Sequence, residues 1–310
     1  MGAGHAHGVH EHTATRPSGH AGARHRARLG AAFGLTAAFF IVELVAGLTS
    51  GSLALLSDAG HMGADVVALG AALLATMIAA RPDSSGRRTF GYYRVEIFAS
   101  GLAVLIMLGM GVFVLIEAVR RLGADTPVAT GTMLVVGVLG LIVNLISMVL
   151  LRSGAAESLA VRGAYLEVLA DAAGSVGVIA AALLMRSTGW PVWDLVVAVA
   201  IAVFIVVRAL LLGRQVLSVL GQHAPAGVEP ADVDADLGAV DGLYEVHDLH
   251  LWTLTSGMHV GTVHLVVGPG GDHARILDEA RHILSSRHGI EHVTVQLETA
   301  GLVGCPDLGW

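Results

Sequence analysis

The sequence contains no lysine: all 18 Lys/Arg positions are arginine, an absence we read as compositional bias without a mechanism attached. Cysteine is nearly absent too. The single Cys305 excludes an intramolecular disulfide, so nothing points to an oxidising compartment for the soluble part. Charge is scarce at 14% of residues, against the roughly 25% of soluble domains. With 54% hydrophobic residues, the natural solvent for much of the chain is a bilayer. The formal charge of −7 excludes a general nucleic-acid binder. The first residues are polar and rich in His and Gly, with no apolar core behind a basic start, so we expect no cleaved signal peptide there.

The apolar residues crowd between Leu29 and Leu212, and the last hundred residues read as soluble protein, which fits a length prior of about two domains. Six stretches reach the roughly 20 residues needed to cross a hydrocarbon core: 29–50, 53–80, 95–119, 130–151, 163–185 and 190–212. Arginine sets the orientation. Arg16, Arg24, Arg26, Arg28, Arg81, Arg87, Arg88, Arg94, Arg152, Arg162, Arg208 and Arg214 fall on one side, and only Arg120, Arg121 and Arg186 on the other. The positive-inside bias therefore predicts a cell (inner) membrane protein with both termini cytoplasmic. The glycines of Gly101–Gly111 and Gly163–Gly177 read as packing faces for close helix approach, not as a pore.

Ionisable groups at bilayer depth cost about 2.5–3.5 kcal/mol on insertion scales, so each is a functional candidate. The second span carries His61 and Asp65, and the fifth carries Glu167 and Asp171. Each pair is spaced i, i+4, which stacks two side chains on one helix face about 6 Å apart along the axis. One pair alone reads equally well as an intrahelical contact; two such pairs on separate spans point to a four-ligand site. One imidazole nitrogen and three carboxylates suit zinc, with cobalt, cadmium, iron and manganese as further candidates. Glu43, Asp58 and Asn144 read either as groups that orient a ligand or as polar glue between helices.

Four motifs now fall in order: Ser52-Leu-Ala-Leu-Leu-Ser-Asp58-Ala-Gly-His61 with Asp65; Arg88-Thr-Phe-Gly-Tyr-Tyr-Arg94-Val-Glu96; Asp171-Ala-Ala-Gly-Ser175-Val-Gly177; and His247-Asp-Leu-His250-Leu-Trp252-Thr253. With them the chain resembles the cation diffusion facilitator family of metal–proton antiporters over nearly all its length after the N-terminal tail. The resemblance implies six helices followed by a small cytoplasmic domain that dimerises, with the transported ion on His61, Asp65, Glu167 and Asp171. One departure bears on selectivity. Zinc-specific members usually carry histidine where this chain has Glu167, and the extra carboxylate hardens the site. The loop from Arg81 to Arg94 holds Asp83 but no histidine, so the additional metal site of some relatives is not evident.

Domain limits follow: a His-rich cytoplasmic tail over 1–28, a transmembrane domain over 29–214, a cytoplasmic α+β domain over 222–300 and a short tail over 301–310. The tail carries His5, His7, His10, His12, His20 and His25, and reads either as a metal-gathering tract without fixed fold or as a plain solvated tail. In the cytoplasmic domain, periodicity predicts helix 229–237, strands 244–254 and 259–267 joined at Ser256-Gly257, helix 272–287 and strand 292–298. The resemblance makes this a ferredoxin-like fold. In a regular strand His247 and His250 point to opposite faces, so they should not share a site. By motif position His247, His264, His273 and Glu298 match places where relatives bind a regulatory metal.

The sequence therefore implies a secondary transporter, not an enzyme. Its partners are divalent metal ions, protons, the lipid membrane and a second copy of the chain, and no nucleic acid. Zinc is cargo and possible regulatory ligand, with no catalytic cofactor. The rivals are a membrane-anchored metal sensor, which binds without moving metal, and an intramembrane metalloenzyme, which wants an open coordination position and a separate base. No His-Glu-x-x-His signature is present.

Overall fold

A computed structural model of the chain describes residues 20–79, 86–124, 127–155 and 159–299. Six long helices come first: α1 His20–Ser50, α2 Leu53–Ala79, α3 Val95–Arg121, α4 Thr130–Ala155, α5 Leu159–Thr188 and α6 Val192–Leu220. Glycines in the left-handed region end several of them. Gly51, at φ 72°, closes α1 and lets the chain turn into α2 after only two residues. Among the described residues, α1 takes in His20 and His25 of the His-rich tail. Its Ala and Arg content favours helix. His5, His7, His10 and His12 lie outside the described residues, as do Cys305 and Asp83.

Five helices, α1 and α3 to α6, are long and apolar enough among the described residues to cross a membrane.

The chain divides into two compact units: the described residues up to Gly63 with Val114–Ile201, and Ala64–Phe113 with the chain from Ala202 onward. In the first, α4 packs along α5 and α1 along α4. Glycines allow the approach, as expected. A Cβ at Gly140 would stand 2.7 Å from the Phe39 ring, and one at Gly137 3.1 Å from Ile179. In the second unit Gly111 of α3 leaves room for Val206 of α6, whereas Gly109 faces open space.

The second unit also holds the small domain: α7 Pro230–Gly238, β1 Leu243–Thr255, β2 Met258–Val267, α8 His273–Ser286 and β3 His292–Thr299. The sheet order is β1-β2-β3, antiparallel between the first pair and parallel between the second, with α8 as the crossover. Asp272 caps α8 by accepting from the Ala274 and Arg275 N–H groups at 3.0 and 3.2 Å. Val233 and Leu237 of α7 meet Ile276 and Ala280 of α8 over Val263 and Leu265 of the sheet, all buried.

Strand β1 is not regular. Its register with β2 shifts between His247 and His250, and Asp248 sits at φ 52°. This bulge lets Val246 and Leu249, three residues apart, both pack on the core. His247 and His250 are thereby turned to the same outer face, which corrects the expectation drawn from strict alternation. Ile276→Ala removes a fully buried side chain at the centre of this core and should cost about 2–5 kcal/mol. Hydrogen exchange of the sheet amides in the full chain would show it, and protection equal to wild type would count against this core as the domain's support.

Candidate metal centre

Helix α2 is fixed at its start by a buried carboxylate from another helix. Ser52 caps α2 by accepting from Leu55 N–H at 3.1 Å, and its hydroxyl donates to Asp194 Oδ1 at 2.6 Å. Asp194, in the first turn of α6, also accepts from the Leu53 and Ala54 N–H groups at 2.7 and 3.2 Å. A negative charge at a helix N-terminus satisfies open donors and complements the dipole. Sequence reading passed over Asp194 because its spacing belongs to no pattern. Its place in an otherwise apolar span was the available signal.

Two turns further along α2, His61 is buried, and its Nε2 lies 3.6 Å from Asp171 Oδ1 on α5. Ligand atoms of His61 and Glu167 stand within 4.8 Å of each other, and Asp65 offers a carboxylate within the same distance of His61 from the next turn of α2. Asp58 presses against α5 where glycine leaves space: a Cβ at Gly174 would lie 2.7 Å from Asp58 Oδ1. Glu43 and Asp58 are both buried, and Asn144 of α4 donates to Ser175 Oγ of α5 at 3.4 Å, a polar contact between helices.

Asp65 has a second neighbour that sequence reading placed elsewhere. Arg208 was expected at the cytoplasmic end of the sixth span, but α6 continues to Leu220, so Arg208 sits three turns inside it. Its Nη2 approaches Asp65 Oδ1 to 3.5 Å.

A second cluster lies on the outer face of the small domain's sheet. His247 and His264 face each other across β1 and β2, with ring centroids 5.3 Å apart. Glu298 of β3 stands 3.0 Å from His264 Nδ1 and 3.5 Å from His247 Nε2. These three side chains offer ligand atoms within 4.8 Å of one another. Both ring nitrogens of His247 are shielded from solvent without a hydrogen bond among the described residues, so two imidazoles and a carboxylate present a donor set that fits a borderline cation. The bulge adds Asp248, whose carboxylate lies 2.9 Å from His250 Nε2 and 3.7 Å from His264 Nε2. His273 is not brought to this cluster. It opens α8, where its Nδ1 meets the Gly271 carbonyl at 3.2 Å.

A buried imidazole among carboxylates inside apolar helices, followed by a small domain with its own His/Glu cluster, defines a membrane protein that handles cations. The chain belongs to the cation efflux, or cation diffusion facilitator, family: the signature of the cation efflux transmembrane domain matches residues 29–220, and that of the cation efflux protein cytoplasmic domain matches residues 225–300. It is 44% identical to the metal cation efflux system protein CzcD of Cupriavidus metallidurans, across 97% of this chain and 91% of that one. Zinc transporter ZitB of Escherichia coli is 37% identical across 93% and 91%. A cadmium, cobalt and zinc/H(+)-K(+) antiporter of Bacillus velezensis is 34% identical across 91% of each chain. The solved metal-bound C-terminal domain of the CzcD transporter from Cupriavidus metallidurans is 37% identical and covers 23% of this chain and 99% of its own, at a TM-score of 0.21. The family consists of divalent metal cation transporters, not enzymes.

Arg208 competes with any cation that Asp65 would hold. Replacing it by glutamine should tighten cobalt(II) binding to the full chain about tenfold, a discounted share of the ~4 kcal/mol that two charges ~4 Å apart exchange at an effective dielectric of about 20. Cobalt absorption titrations measure this. Unchanged or weaker binding would mean that Arg208 orients Asp65 and does not compete.

Proposed function

We propose that the protein expels zinc, and with lower preference other divalent cations, in exchange for protons by alternating access. The ion is held by His61, Asp65, Glu167 and Asp171. The observation that carries this reading is the convergence of His61, Glu167 and Asp171 from α2 and α5, with Asp65 on the next turn of α2. Six spans, cytoplasmic termini and a ferredoxin-like domain that dimerises complete the proposal. The matched cytoplasmic-domain signature and the arginine distribution support these parts. The relatives named for zinc, cadmium and cobalt support the choice of metals.

Metal ligands must be deprotonated to bind, so metal and protons compete for the same atoms. In the cytosol-facing state the four side chains release protons and take the cation. After the helices rock, external protons displace it. Imidazole ordinarily titrates nearest neutrality, which makes His61 the proposed proton carrier. Glu167 in place of a second imidazole broadens the site toward harder cations.

Uptake into proteoliposomes under a proton gradient tests the reading. Wild type should accumulate zinc against the gradient, Asp65→Ala should abolish uptake, and Glu167→His should narrow the accepted ions toward zinc. Binding without gradient-driven flux for every ion would sink transport in favour of a sensor, and a metal affinity independent of pH would sink the proton exchange. In the cytoplasmic domain, His247, His264 and Glu298 are proposed to hold a regulatory zinc ion. Glu298→Ala should lower the bound zinc by one ion per chain in calorimetric titrations while leaving binding at the membrane site intact. Unchanged stoichiometry would remove this cluster from the metal sites.

A further inference from the structure

Glu43 and Asp58 have no place among the proposed ligands, yet both are carboxyls deep inside the first unit, 1% and 2% exposed. Packing brings them together. A Cβ at Gly47 of α1 would meet the Leu56 backbone nitrogen of α2 at 3.0 Å, and one at Gly63 of α2 would meet the Phe40 ring of α1 at 3.0 Å. The two helices run antiparallel through these contacts, so Glu43, between Phe40 and Gly47, falls opposite the turn of α2 that carries Asp58. The two carboxyls stand within hydrogen-bonding reach of each other. Both Glu43 oxygens are shielded from solvent, and neither receives an N–H or O–H among the described residues. The neighbouring helices bring few other charges. Glu43 is the one charged residue of α1 after Arg28, and α4, which packs on α1, carries only Arg152, in its last turn. His61 lies three residues beyond Asp58 on α2 and is engaged with Asp171 of α5, whose charge reaches Glu43 through space.

Two carboxylates in contact cannot both stay ionised where neither water nor a cation compensates them, and a proton between them turns two facing acceptors into a donor and an acceptor. We propose that Glu43 and Asp58 form a proton site of their own, apart from the ion's ligands, and that its proton is one of those exchanged for the cation. The inference rests on the reading of Asp171 as a ligand. Like charge on Asp171 opposes a second negative charge on the pair, and a dication held by Asp171 reverses the sign of that field. The proton then leaves to water, and the pair gains one negative charge as two positive ones arrive. By reciprocity, a proton on the pair lowers the affinity for the cation. Cation and proton thus compete without sharing an atom, beside the competition at His61.

The test uses the full chain in detergent, titrated with zinc in weak buffer while a pH dye counts the protons released. Glu43→Gln keeps the side chain's size and gives Asp58 an N–H, but it holds no exchangeable proton. It should release about one proton fewer per zinc ion than wild type, and its zinc affinity should rise less steeply with pH. Protons released at the small domain are common to both chains and cancel. Glu43→Asp should restore the count, and Asp58→Asn replaces Glu43→Gln should the latter fail to fold. In infrared spectra of the zinc-free chain at neutral pH, a protonated-carboxyl band should be present in wild type and lost in Glu43→Gln. Absence of that band overturns the proposal whether or not zinc binds. So does an equal proton count in wild type and variant, or loss of zinc from the membrane site of Glu43→Gln, which would make Glu43 a ligand. Failure of the ligand reading shows separately, as zinc binding that Asp171→Ala leaves unchanged.

Discussion

A carboxylate in a membrane interior needs close polar or charged partners, and the placing of Asp194, Asp65 and Asp171 follows from that requirement. Stripping a carboxylate of water costs several kcal/mol even after relaxation, a penalty recovered only with close partners. The membrane helices meet it differently at each place. Asp194 takes two N–H donors and a hydroxyl at the start of α2, Asp65 takes Arg208, and Asp171 takes His61. The first of these arrangements is permanent, because backbone donors do not leave. In the other two the partner is a side chain, which can move, and that difference separates the scaffold from the proposed site.

Fixing α2 at its first turn has a consequence eight residues along. A helix is stiff over a rise of about 12 Å, so the Ser52–Asp194 knot sets the rotation and height at which His61 appears opposite α5. Gly174 extends the same control from the other side. It lies three residues beyond Asp171 on α5, and its missing side chain lets the two helices approach where Asp58 rests. Side chains on helices held in this way keep their spacing, so the proposed alternating access would move helices as bodies.

Much of this was legible in the sequence because it is written in local periods. Long apolar runs gave the helices, alternation gave the three strands to within a residue or two, and the two i, i+4 pairs gave His61 with Asp65 and Glu167 with Asp171. What stayed hidden depends on distance in space. Asp194 and Ser52 are 142 residues apart, and Arg208 was counted at a helix end that in fact lies three turns further on. The strand error had another origin. Alternation assumes a regular ladder, and one residue at Asp248 with positive φ reversed the side to which everything after it points. His273 was misplaced for a related reason: motif position says nothing about which elements meet, and α8 carries it away from the sheet face that holds His264 and Glu298.

Charge balance connects the two unusual features of the membrane site. The four proposed ligands carry three negative charges when His61 is neutral, so a bound dication leaves one negative charge uncompensated in a poorly solvating environment. Two imidazoles and two carboxylates would leave none. Arg208, 3.5 Å from Asp65, supplies the missing positive charge. Counted together, the proposed ligands and Arg208 total two negative charges without a dication and none with one. Only a ligand set that is negative when vacant can take up protons in place of a dication, which is what the proposed exchange requires.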